Sequence, residues 1–146
     1  MRVTLDISGG FEDTIRRLNE LPGKAVKICK KRFEAAAPAI NARQRALAPV
    51  DPVDGGQMRD SVRWESPRSS SETFASLRFI VGGDVLLPYL DGRSYNAYAV
   101  VQETDPTLKH SHGQAGFMTM PVVQAVPGIW AGIAADIDAL VARASG

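Results

Sequence analysis

The sequence has one cysteine, Cys29, so no disulfide can form within the chain. A lone thiol suits a reducing compartment such as the cytoplasm. Aromatic residues make up 7% of the chain and form no stacking series of the kind single-strand binders use. The longest unbroken apolar runs, such as Tyr98–Val101, fall far short of the ~20 residues a membrane span needs. The first seven residues alternate polar and apolar and lack the apolar core of a signal peptide. No membrane partner is expected. Also missing are a glycine-rich phosphate loop after a strand, a Gly-x-Ser-x-Gly elbow, and helix-turn-helix or zinc-finger spacing.

What is present is an ordinary globular composition over 146 residues. That length fits one domain, 1–146, burying roughly 70% of its unfolded surface. The net charge is +1, but it is divided unevenly. Residues 1–48 hold ten Lys/Arg and five Asp/Glu, a balance of +5; residues 49–146 hold seven and eleven, a balance of −4. Such polarity can guide contacts between copies, or mark a solvated helix face.

The stretch from Leu47 to Val62 is the joint of the chain, with two prolines, two adjacent glycines and three aspartates. Pro49 disfavours helix at Ala48, so a preceding helix should stop there. Gly55 and Gly56 permit positive φ and a reversal of direction. Upstream, Val3, Leu5 and Ile7 alternate with polar residues and predict a short edge strand. Ser8 can cap a first helix carrying Phe11, Ile15 and Leu18. A second, long helix is expected from Pro22-Gly23 to about Ala46, with Val26, Cys29, Phe33, Ala36 or Ala37, Ile40 and Leu47 on its inner face. Pro38 should bend it.

Downstream, Val62–Glu65 and Phe74–Val81 predict two strands of an antiparallel hairpin. Ala97–Glu103 is expected to be a third strand. A loop at about 104–119 follows, without periodicity and longer than the usual connection. A last helix from about Pro121 carries Val122, Val126, Ile129, Ile133, Ile137 and Leu140; Pro127-Gly128 is expected to break or bend it early. The expected fold class is α+β: a long bent N-terminal helix and a C-terminal helix packed on a small antiparallel sheet, with an extended loop before the last helix.

Residues that could carry chemistry are few. His110 and His112 would face the same way on an extended segment, with Glu103 or Asp105 as a further oxygen donor, but spacing fixes no third ligand. Cys29 lies on the apolar face of a helix, as a small core residue would. Asp51 and Asp54 sit in a turn, where aspartates usually cap backbone amides. No catalytic residue, cofactor or metal is expected. Lys24–Arg32 holds five basic residues in nine, enough for phosphate contacts. DNA binding by this helix is therefore the alternative reading from a different class.

Three blocks carry a family resemblance. Ala48-Pro49-Val50-Asp51, a glycine, then Met58-Arg59-Asp60-Ser61-Val62 resembles the APVDTG-x-L-R-x-S-I signature of small neck and tail-completion proteins of long-tailed bacteriophages. Tyr98–Glu103 resembles that family's YA-x-Y-V-E strand. Gly113-Gln114-Ala115-Gly116-Phe117-Met118 with Pro121 resembles its G-x-A-x-F-L-x-x-P run before the last helix. Pro52-Val53-Asp54 looks like an insertion in the first block, and Gln102 stands where some relatives have histidine. The resemblance implies a structural virion protein of the neck. It implies a ring of identical subunits, six in the commonest case, with host cytoplasm as the place of assembly. Neighbours would be connector or head-closure proteins and tail-terminator or tail-tube proteins, and DNA would pass through the lumen. A terminator or a head-closure protein is the alternative within the same class. Interface candidates are then Asp51, Asp54, Arg59, Glu103, His110, His112, Phe117 and Met118. Residues His110–Met120 would be a docking arm, with Phe117 and Met118 exposed on it or folded back on the core.

Overall fold

A computed structural model describes residues 2–6, 22–50, 56–67, 74–82, 95–109 and 112–144. Its elements are β1 (Arg2–Asp6), α1 (Pro22–Leu47), α2 (Gln57–Ser61), β2 (Arg63–Glu65), β3 (Ser76–Ile80), α3 (Tyr95–Thr104) and α4 (Thr119–Ala144). The expected first helix around Phe11–Leu18 lies outside the described residues.

The strands form one antiparallel sheet in the order β1-β3-β2. β1 lies at an edge, as its alternation suggested, with Val3 opposite Phe79 and Leu5 opposite Leu77. β2 and β3 form the expected hairpin, pairing Trp64 with Phe79. The Arg78 guanidinium lies 3.6 Å from the carboxylate of Glu65, its cross-strand neighbour.

The long helix is α1. It runs through Pro38, which removes one backbone bond but sits on the exposed outer side, where its ring meets no core neighbour. Ala25, Cys29, Phe33, Ala37, Ile40 and Gln44 are buried at three- and four-residue spacing, so one stripe faces inward. That stripe meets the sheet on one side and α4 on the other. α4 answers with Val122, Ile129, Ile133 and Ile137. α4 also runs through its internal proline, Pro127, without a break. Burial of the Cys29 thiol among these groups pushes its pKa up to about 11, against the lowering effect of a backbone hydrogen bond.

One expected strand is a helix. Ala97–Glu103 was expected to extend the sheet, but Tyr95–Thr104 forms α3. A strand would bury alternate residues. Here Ala99, Gln102 and Glu103 are buried while Val100, Val101 and Thr104 are exposed, which is helical spacing. A four-residue apolar run is too short to separate the two periods, and β-branched valines biased the choice toward strand.

By length and composition Thr119–Arg143 is apolar enough to cross a membrane, although its apolar residues are interspersed rather than continuous. In this fold it is a core helix along one face only: 17% of its most apolar stretch is buried.

Candidate functional site

The three sequence blocks meet at one junction, where the end of α1, the end of α3 and the start of α4 come together. Its centre is Glu103, 8% exposed, in the last turn of α3. One carboxylate oxygen accepts the Met118 amide at 2.9 Å. The other accepts the Thr119 amide at 2.9 Å and the Thr119 hydroxyl. A helix start leaves four backbone N–H groups without intrahelical partners. Glu103 takes those of Met118 and Thr119, the Met120 amide donates to the Gly116 carbonyl at 2.8 Å, and Pro121 has no N–H. The start of α4 is thus fully satisfied. A carboxylate there also lies favourably at the positive end of the helix dipole.

From α1, the Gln44 side chain, fully buried, donates from Nε2 to the Met118 carbonyl at 2.8 Å. The Gln114 amide donates to the Leu47 carbonyl at 3.0 Å, and the Gly116 amide to the Glu103 carbonyl at 2.9 Å. Gly113 has φ +85°, and a Cβ placed there would lie 2.5 Å from the Pro49 nitrogen and 2.6 Å from the Ala48 carbonyl carbon. Two backbones approach more closely than any side chain would allow. At the start of the loop, the Thr107 amide and hydroxyl donate to Asp105 at 2.9 and 2.6 Å, and they hold its carboxyl below the usual range.

The other half of the joint is equally tied. Gly56 takes φ +91° and starts α2, a short helix within the joint. Arg45 of α1 donates to the carbonyls of Val62 at 3.0 Å and Asp60 at 3.1 Å. The Ser61 hydroxyl donates to the Met58 carbonyl at 2.7 Å and accepts the Gly82 amide at 2.8 Å, so the end of β3 is fixed to α2.

Farther along the helix pair, Arg32 and Asp136 form a two-pronged bond, with Nε and Nη2 each 2.7 Å from a carboxylate oxygen. The Arg32 hydrogen bond, opposed by desolvation, holds the Asp136 carboxyl below the usual range. Gly132 makes room for it: a Cβ there would lie 3.2 Å from the guanidinium carbon. Arg32, counted among the basic residues of the helix, is therefore a bond between α1 and α4.

The expected interface residues divide accordingly. Phe117 and Met118 are both 0% exposed and belong to the core, so of the two placements left open they take the one folded back on the core. Their segment is built into the junction by the bonds above, because burying two large apolar side chains outweighs the cost of ordering a short loop. Glu103 is likewise inside, as the partner of α4. Arg59 is half-buried and pairs with its neighbour Asp60 at 3.1 Å. His112 is exposed beside Gly113. Asp51, Asp54 and His110 lie outside the described residues. Among the described residues no group of three or more His, Cys, Asp or Glu side chains is arranged to hold a metal ion. Gln44, Gly113 and the Arg32–Asp136 pair were missed. Gln44 had a signal: it is the polar residue in the apolar rhythm between Ile40 and Leu47.

Residues 12–99, more than half of the chain, match the family model HK97-gp10-like, described as "Bacteriophage HK97-gp10, putative tail-component". The chain belongs to this family of phage tail components. The matched span runs from before α1 into α3 and ends short of Glu103, the loop and α4. No curated protein and no solved structure is similar enough to match the chain. A tail component is a structural part of the virion, so the contacts that matter are those with other virion proteins.

Proposed function

We propose that this tail component works at the neck of the particle, as a tail-completion subunit in a closed ring of about six copies joining the filled head to the tail. The carrying observation is the meeting of the three signature blocks at one junction within a chain of the HK97-gp10-like family. Ala48-Pro49, Glu103 and Gly113–Pro121 serve each other, through backbone contact and helix capping, and leave no reacting group free among them. The signature therefore encodes an architecture, as a part that works by shape and surface requires. Closed rings need a heterologous contact, in which one face of each copy fits a different face of the next.

Electron microscopy of lysates from a phage deleted for this gene tests the reading. Full heads beside finished, unattached tails are the expected result. Overgrown tails of irregular length would instead indicate a terminator. Normal particles would overturn the neck role. A second reading rests on the exposed lysines 24, 27 and 31 of α1, which could follow DNA phosphates. It requires affinity for free duplex that falls steeply as salt rises.

A further inference from the structure

We infer that the outward face of α4 is the surface on which a second copy of this chain seats the outward face of its α1. The inference rests on the ring reading above and names the contact that would build the ring. It draws on α4, which lies beyond the span matched by the family model.

Opposite its buried stripe, α4 exposes a second stripe. Met120, Pro127, Ala134 and Val141 stand seven residues apart, all on the exposed side. Gln124, Ala131 and Asp138 fall between them, completing the spacing by which one helix packs along another. Val123 flanks this line and is 63% exposed; Val141 is 39% and Met120 37% exposed. A run of this kind, mostly apolar and exposed along a 26-residue helix, marks an interaction face.

α1 has a matching line of different character. Lys24, Lys31, Pro38 and Arg45 also stand seven apart on its exposed side, with Ala35 and Ala42 between them and Lys27 alongside. The half toward its N-terminus is basic; the half toward its C-terminus is small and apolar up to Arg45, whose guanidinium is held by the Val62 and Asp60 carbonyls. Within one chain α1 and α4 run antiparallel, since Arg32 meets Asp136 while Gln44 meets Met118. A neighbour's α1 docked in the same sense sets Asp138, the one exposed acid described on α4, against Lys27 and Lys31. The same register sets Val123 against the alanines of the other half. Charge meets opposite charge, and apolar surface meets small side chains that let the helix axes approach. The two faces differ, so the contact is heterologous and can close into a ring.

The test is sedimentation equilibrium of the full chain and its variants, each checked for native circular dichroism. The wild type is expected to self-associate. Val123→Asp should weaken association at least ~10-fold, and Asp138→Lys by roughly 3- to 10-fold. Lys27→Glu with Lys31→Glu should weaken it similarly, and combining these with Asp138→Lys should restore most of the loss. Asp138 is exposed, so that charge reversal still decides the matter if Val123→Asp fails to fold. Three results overturn the surface: a chain monomeric at all concentrations, association indifferent to the Asp138 reversal, or no rescue by the combination. Binding to neutral phosphatidylcholine vesicles that Val123→Asp abolishes would make lipid the occupant instead. None of these touches the neck role, which fails if particles lacking the gene are normal.

Discussion

The helices α1 and α4 are alike in many respects and opposite in one. Each has 26 residues, one internal proline on its exposed side, and one inward stripe. The inward stripes share a single core, in which Phe33 and Ile133 are both almost fully buried. Outward they diverge: α1 shows lysines and alanines, α4 shows valines, alanines and a methionine. The inner faces are interchangeable in physical kind and account for stability. The outer faces are not, and a protein that works by contact must keep its function there.

The largest expected effects test the shared interior. Phe33→Ala in α1 and Phe117→Ala at the mouth of α4 should each cost about 3–5 kcal/mol in urea unfolding. A loss under about 1 kcal/mol for Phe117→Ala would return that residue to the surface and separate the two helices energetically. Next come two changes that attack only the start of α4. Gly113→Ala must place a Cβ 2.5 Å from backbone at positive φ, which should cost about 3 kcal/mol or more. Glu103→Ala leaves the Met118 and Thr119 amides without their acceptor, at about 1–3 kcal/mol for each amide that stays dry. Hydrogen exchange should then rise in the first turns of α4 before it rises in α1. If both helices loosen together, the junction is not a separate lock.

A smaller effect concerns the tie between the helices. Asp136 has a lowered pKa in the folded chain, so its contribution is present above the unfolded value of about 3.9. It is lost as pH falls through the folded value. Asp136→Asn should therefore flatten the loss of stability below about pH 4 without changing the slope near neutrality. An unchanged acid limb in urea titrations would show that the bond, though well formed, adds nothing. The smallest effect belongs to the outer face: Lys27→Ala should change stability by less than about 0.5 kcal/mol.

Most of the architecture was legible in sequence because it depends on period. The inner stripe of α1, the hairpin and the C-terminal helix all repeat long enough for 3.6 or 2 to show. α3 was not legible, since Tyr98–Val101 is apolar over one helical turn and its valines favour strand. The short helix α2 was hidden because Gly56 and Arg45, which start and tie it, act through backbone geometry and through a helix distant in sequence. The site was less legible still. Phe117 and Met118 stood out as large apolar residues in a polar region and Glu103 as the end of an expected strand, but nothing in the sequence joined them to each other. Side chains that look misplaced along the chain, a glutamate after valines and a phenylalanine between glycines, meet in space with their requirements matched.

The most direct measurement is to locate the protein on the particle. A small tag at the C-terminus, labelled with gold and viewed by electron microscopy on purified phage, gives its position. Label confined to the junction of head and tail, in a small fixed copy number, is the result expected of a neck ring. Label along the tail shaft or at its distal tip would contradict it.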